Sequence, residues 1–243
     1  MEFKNLSSDE KIKEWIVKSY EECKASYPLP NAGGVAFDIG ANVGGFCLHA
    51  HKNFYRIYAF EPFKKNFDVI SNVMTQLEIK NVFPWNIAVH SDSGKTLSLL
   101  GRSDTFISGD ISVVADRGND CLYEIGEECK TISLKDAMDF LNVSMIDYLK
   151  MDCEGSEYAI LENFSDYDKI YWICIELHGN STPPDYGENK RRSFLLKMFK
   201  HYYFINTDQK GTFSFSELIE QGEKTGPEDF IDSGSVLMIN RNI

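Results

Sequence analysis

The chain has 243 residues, enough for one sizeable core with decorations, and carries 25 Lys and Arg against 37 Asp and Glu, a formal charge of −12. That balance disfavours a polyanionic partner held by phosphate neutralisation, so neither nucleic acid nor an anionic membrane surface is expected. A hydrophobic fraction of 43% and an aromatic fraction of 13% exclude a disordered chain, and no stretch approaches the roughly 18 consecutive apolar residues of a membrane helix.

The first 25 residues read as an amphipathic helix, with Ser7 and Glu10 fitting a capping box and Ile12, Trp15, Ile16, Tyr20 and Cys23 recurring at helical spacing. Pro28, Pro30, Gly33 and Gly34 punctuate the chain before Val35–Ile39, a β-rich run that ends in a glycine-rich turn. A helix from Gly45 to Lys52, a strand at Arg56–Phe60, a helix at Phe63–Leu77 and a strand at Val82–Val89 follow. Beyond them come an apolar run at Ile146–Met151, a short helix at Ser156–Phe164, a strand at Ile170–Leu177 and a helix at Arg191–His201. Strands alternating with helices predict an α/β fold with a largely parallel sheet covered on both faces, and ligands in such sheets lie at the carboxyl ends of the strands. Ser91–Lys130 breaks the rhythm with polar, glycine-punctuated pieces such as Thr96–Leu100 and Ile111–Ala115, read as hairpins or a flap. Tyr202–Asn206, Thr212–Phe215 and Ser235–Asn240 read as strands closing the sheet.

The six cysteines are dispersed, with no CxxC pair and no Cys/His cluster at zinc-ligand spacing, and the opening MEFKNLSSDE lacks the apolar stretch of a secretory signal. Reduced thiols in the cytoplasm are the expectation.

Three clusters carry chemistry. The strand ending VAFDIGANVGG delivers Asp38, then Gly40, Ala41, Asn42 and Gly44, into a helix start, where a ligand can approach backbone that lacks a Cβ. The Asp38 carboxylate repels a pyrophosphate and suits a ligand with a cationic end. Glu61, at the end of the second strand in YAFEP, stands where an acidic side chain can accept both hydroxyl hydrogens of a ribose. In DYLKMDCEGSE, Asp152 and Glu154 emerge at a strand's carboxyl end, while Glu157 falls in the first helical turn and reads as a helix-dipole partner. In IELHG, alternation turns Ile173, Ile175 and Leu177 to one face and Glu176 with His178 to the other.

The succession DIGANVG, FEP, NIAVHSDSG, TISL, DYLKMDCEGSE and IELH resembles the FkbM family of S-adenosylmethionine-dependent methyltransferases, over Val35 to about His178. The likeness departs at TISLKDAM, where Ser133 and Lys135 stand at commonly acidic positions. The resemblance implies a class I methyltransferase fold, a Rossmann-like three-layer sandwich whose seven-stranded, mostly parallel sheet has an antiparallel last strand. It also implies that Asp38, Gly40 and Gly44 border the methionine part of S-adenosylmethionine, with Ala41, Asn42 and Asp152 also against the cofactor. Glu61 then holds the ribose, and Asn86 and Ala88 lie near the adenine. Residues 1–30 are read as an N-terminal helical element and 31–243 as the methyltransferase domain, with a cofactor part at about 35–178, a flap at about 91–130 and an acceptor loop at about 179–190.

The family implies O-methylation of a hydroxyl on a sugar or small natural product. His178 or Asp152 is the candidate general base, with Glu154 at the same cleft, because proton removal needs a group within hydrogen-bond reach of the hydroxyl. In a variant, Asp152, Glu176 and His178 hold Mg²⁺ or Mn²⁺. Competing readings are a non-catalytic cofactor-binding module and an NAD-dependent oxidoreductase.

Overall fold

Helix α1 (Glu10–Ser26) begins at Asp9, whose carboxylate accepts the Lys11 and Ile12 N–H groups at 2.9 and 3.4 Å. An anionic cap at the positive end of the helix thus sets the boundary in place of the expected Ser7 box. Ser7 lies outside the residues described by this computed structural model, which are 9–30, 33–101, 123–178, 188–206, 215–230 and 235–242.

The chain then alternates through β1 (Val35–Ile39), α2 (Gly45–Ala50), β2 (Arg56–Phe60), α3 (Lys64–Gln76) and β3 (Val82–Trp85). Next come β4 (Ala88–His90), β5 (Thr96–Gly101), β6 (Tyr123–Ser133) and α4 (Leu134–Phe140), followed by β7 (Ile146–Met151), α5 (Glu157–Glu162) and β8 (Ile170–Glu176). The last elements are α6 (Glu188–Phe199), β9 (Tyr202–Asn206), α7 (Phe215–Lys224) and β10 (Ser235–Asn240).

Seven strands form one sheet in the order β3-β2-β1-β7-β8-β10-β9, and the last strand in the chain, β10, runs antiparallel to both neighbours. This is the class I methyltransferase arrangement. The strand order turns around at β1, which lies between β2 and β7, so ligand-binding loops converge beyond the carboxyl ends of these strands. The central strands are apolar on both faces: Phe37, Ile39, Leu149 and Ile173 pack into one core, while Ala36, Tyr148, Cys174 and Leu237 pack into the other. Asp38 and Lys150 share the second face, under α1 and α2, and are register partners across β1 and β7.

The expected strand over Val82–Val89 is two strands. The Asn86 amide donates to the Glu61 and Pro62 carbonyls at 3.0 and 2.8 Å, drawing the chain out of line, and β4 continues in a separate three-stranded sheet with β6 and β5. In that sheet β5 and β6 form an antiparallel pair within the expected flap, whereas Ile111–Ala115 lies outside the described residues. Phe215 opens helix α7 and is no strand end, and 212–214 lie outside the described residues. Helix α4 was not anticipated. Ser133, conspicuous in sequence as a departure from an acidic position, is its N-cap and accepts the Asp136 N–H at 3.1 Å, while Lys135 pairs with Asp139 on the surface.

Among the described residues no helix is long and apolar enough to cross a membrane. Cys23, Cys47, Cys129, Cys153 and Cys174 are free thiols, and Cys121 lies outside the described residues.

Candidate functional site

The turn after β1 is shaped by backbone. The Gly40 and Ala41 N–H groups both donate to the Phe60 carbonyl at 3.1 Å, and the Asp152 N–H donates to Ile39 at 3.1 Å. Gly40 has φ +74°, and a Cβ there would lie 1.8 Å from the Asp152 carbonyl oxygen, so only glycine lets the β1 and β7 ends close together. Asn42, at φ 50°, turns its N–H onto the Glu61 Oε2 at 2.8 Å, and its Oδ1 accepts from Asn66 Nδ2 at 3.1 Å and Trp15 Nε1 at 3.4 Å. Gly44, also left-handed at φ +87°, admits the chain into α2. Asp38 is fully buried beneath this turn, where Lys150 Nζ lies 3.1 Å from its Oδ1.

Glu61 closes one side of a cavity with Ile39, Gly40, Phe60, Ala88 and Ser156. Its Oε2 takes the Asn42 N–H and its Oε1 the Phe63 N–H at 2.9 Å. Burial pushes its pKa up to about 8, against the opposing pull of those two N–H groups. Ala88 lines this cavity. Asn86 does not: its side chain ties β3 to the 61–62 turn.

On the far side of Gly40 a second cavity, of about 320 Å³, lies between α1 and the turn and is lined by Ser26, Tyr27, Ala41, Lys150, Asp152 and Glu176. The Tyr27 hydroxyl donates to Asp152 Oδ2 at 3.2 Å. Gly40, Asn42 and Asp152 border both cavities.

His178, just beyond β8, sits among carboxylates. Its Nε2 is 3.3 Å from Glu154 Oε2, 3.8 Å from Asp152 Oδ1 and 3.9 Å from Glu176 Oε1, and its Nδ1 is 2.9 Å from Glu157 Oε1. Burial opposes the charged ring, but Glu157, Asp152 and Glu176 outweigh it and raise the imidazole pKa. Glu176 is raised too, by burial and then by the Asp152 charge. Asp152, Glu154 and His178 each bring one donor atom within 4.8 Å of the others. Glu176 falls outside that group, so the ligand set Asp152, Glu176 and His178 read from sequence does not converge.

The family model described as the methyltransferase FkbM domain matches residues 38–205. The chain belongs to the FkbM methyltransferase family. The 31-O-demethyl-FK506 methyltransferase FkbM of Streptomyces tacrolimicus is 26% identical over 175 residues, covering 60% of this chain and 66% of that protein. Among solved structures, methyltransferase FkbM from Methylobacillus flagellatus KT has a TM-score of 0.40 at 15% identity, covering 72% of this chain and 47% of its own. The chain thus spans about half the length of that structure and 66% of the curated relative. TrmK of M. capricolum, solved with S-adenosylhomocysteine, has a TM-score of 0.37 at 13% identity, covering 93% of this chain and 66% of that one.

In this FkbM methyltransferase the Glu61 cavity fits a nucleoside on two counts. Ser156 is 3% exposed, borders the cavity, and its Oγ has no hydrogen-bond partner among the described residues, a polar atom waiting for one. Glu61 keeps lone pairs for hydroxyl donors after its two backbone contacts. Three residues of the site escaped the sequence reading, Tyr27, Lys150 and Ser156, while Glu157 was read only as a helix-dipole partner. The one local signal among them was Lys150, a lone cation inside the apolar run IDYLKM. Tyr27 lies ahead of the family match, so nothing in the motifs points to it.

Proposed function

We propose that the protein transfers a methyl group from S-adenosylmethionine to a hydroxyl oxygen of a sugar or small natural product. The observation that carries this reading is His178, whose Nε2 stands beside Asp152 and Glu154 at the carboxyl ends of β7 and β8, against the cavity that Glu61 closes. When bound, S-adenosylmethionine supplies an electrophilic methyl on a sulfonium. Glu61 holds the ribose, Ala88 and Ser156 border the base, and Gly40, Ala41, Asn42 and Gly44 give close backbone approach above the Asp38–Lys150 pair. Asp152, Glu154 and Glu176 give the cleft negative charge that favours a cationic donor.

The chain's part in the reaction is alignment, exclusion of water and removal of a proton. The acceptor hydroxyl gives its proton to His178 Nε2 as its oxygen takes the methyl group, and the nearby carboxylates stabilise the imidazolium that forms. Asp152 orients the hydroxyl, itself held by the Tyr27 hydroxyl. An oxygen acceptor is supported by the curated relative, named for an O-demethylated compound. The carboxylate-lined cleft and the net charge of −12 favour a neutral acceptor over a nucleic acid. Acceptor choice is assigned to residues 1–30 and 180–243, around a cofactor part at about 35–178.

The test is labelled methyl transfer from S-adenosylmethionine into sugar and small-alcohol panels. His178→Gln and Asp152→Asn are expected to lower turnover, and transfer is expected to persist in EDTA. Near-wild-type turnover by both variants would remove the proton-transfer assignment. Stabilisation by NAD alone, with none from S-adenosylmethionine or S-adenosylhomocysteine, would remove the methyltransferase reading.

A further inference from the structure

Glu157 is the first residue of α5, where a carboxylate ordinarily stabilises the helix dipole from the solvated surface by about 0.3–1 kcal/mol. Here it is fully buried. Its Oε1 accepts the Cys153 N–H at 2.9 Å and its Oε2 the Gly155 N–H at 2.9 Å. Glu154 and Gly155, at φ 58° and 107°, curl the loop so that these N–H groups point inward at the carboxylate. Oε1 also lies 2.9 Å from His178 Nδ1.

Burial alone would raise the Glu157 pKa, but the hydrogen bond and charge of His178 and the backbone N–H groups bring it below the usual carboxylate range. An ionised carboxylate has no hydrogen to give. Both oxygens of Glu157 already accept backbone N–H groups at 2.9 Å, the pattern of a carboxylate, and this places the hydrogen in the contact with His178 on the ring.

We propose that Glu157 is a positioning residue that fixes the neutral His178 ring as its Nδ1–H tautomer and turns the Nε2 lone pair into the cleft bordered by Asp152 and Glu154. Nδ1–H donates to Glu157 Oε1, and Nε2 is left as the one ring nitrogen able to accept a proton. Among the described residues the other charged groups that face the ring are Asp152, Glu154 and Glu176, all on the Nε2 side. The inference deepens the proposed function in that His178 takes the acceptor's proton, but the tautomer itself is a property of the chain without ligand. Glutamine cannot substitute. Its carboxamide offers one acceptor oxygen where three donors converge, and its NH₂ would confront the Gly155 N–H or the ring N–H.

The decisive experiment is long-range ¹H–¹⁵N correlation NMR of the full-length chain with ¹⁵N-labelled histidine, at a pH where the His178 ring is neutral, assigned with His178→Gln. The Nδ1–H tautomer is expected, and an Nε2–H tautomer overturns the proposal whatever the activity. In Glu157→Gln the tautomer preference is expected to be lost, with kcat for methyl transfer falling by about 10²-fold or more and KM for the methyl donor within about twofold. Glu157→Asp is expected to recover part of kcat. An unchanged kcat in Glu157→Gln would also overturn the positioning role. If Glu157→Gln does not fold, the wild-type tautomer decides alone. An Nδ1–H tautomer in a protein indifferent to His178→Gln would sink the base assignment and leave the Glu157–His178 pairing standing.

Discussion

Lys150 and Asp38 face each other across neighbouring parallel strands with Nζ 3.1 Å from Oδ1, both out of reach of solvent. Lys150 also donates to the Gly40 carbonyl at 2.6 Å, so the same ammonium neutralises the buried aspartate and pins the turn above it. Burial opposes the charged amine, yet Asp38 and Asp152 outweigh burial and keep it protonated. Removing one member leaves an uncompensated charge in a dry core, which costs about 3–5 kcal/mol. Lys150→Met is expected to lose about that much in urea unfolding, and Asp38→Asn with Lys150→Met to recover most of it. Strictly additive losses in the double variant would show that the pair does not act as a unit.

Glu61 makes a prediction about pH. Its pKa is raised from an ordinary 4.5 to about 8, so the protonated form is favoured in the folded protein. The associated stability is fully present below pH 4.5 and is lost as pH rises through about 8. In the proposed site ribose hydroxyls would donate to the ionised carboxylate, so ligand binding would pull the other way. S-adenosylhomocysteine affinity measured by calorimetry is expected to strengthen with rising pH, approaching about tenfold per unit below the Glu61 pKa. Glu61→Gln should bind more weakly and with that dependence removed. A wild-type affinity flat across this range would dissociate Glu61 from the ribose.

Ser156 predicts two effects of opposite sign. Its buried hydroxyl has no partner among the described residues, a condition that destabilises the ligand-free protein by about 1 kcal/mol or more. Ser156→Ala is therefore expected to raise the ligand-free melting temperature while reducing the further rise caused by S-adenosylhomocysteine. A variant that loses stability without ligand, or gains as much from the ligand as wild type, contradicts the assignment.

The seating of α1 depends on one glycine. A Cβ at Gly45 would lie 2.2 Å from Ser19 Oγ and 2.6 Å from the Ser19 backbone, so alanine, although favoured within a helix, must push α1 away. Gly45→Ala is expected to lose about 1–3 kcal/mol and to open residues 27–30 to limited proteolysis. Wild-type protease resistance in this variant would show that α1 adapts without leaving the turn.

The parts of the fold legible in sequence were those with local causes. Val35–Ile39 followed by Gly40 and Gly44 announces a buried strand and a tight entry into a helix, and β2, β7, β8 and α3 follow from apolar runs bounded by polar residues. What was hidden depends on partners distant in the chain. The IDYLKM run reads as apolar strand because nothing nearby reveals that Lys150 will meet Asp38. Glu157 has the local signature of a helix start, and only the fold brings His178 to it. The break at Asn86 is similar, since its amide ends β3 by bonding the turn after β2. The sequence reading capped α1 at Ser7, and in the fold Asp9 is the N-cap.

The contact between Gly40 and the Asp152 carbonyl, with the Asp152 N–H bonded to Ile39, joins the cofactor turn to the base of the acceptor cleft through main chain alone. The backbone ends of β1 and β7 are therefore held together whatever side chain stands at position 152. Substitution of that side chain leaves the main-chain join between the two strand ends in place.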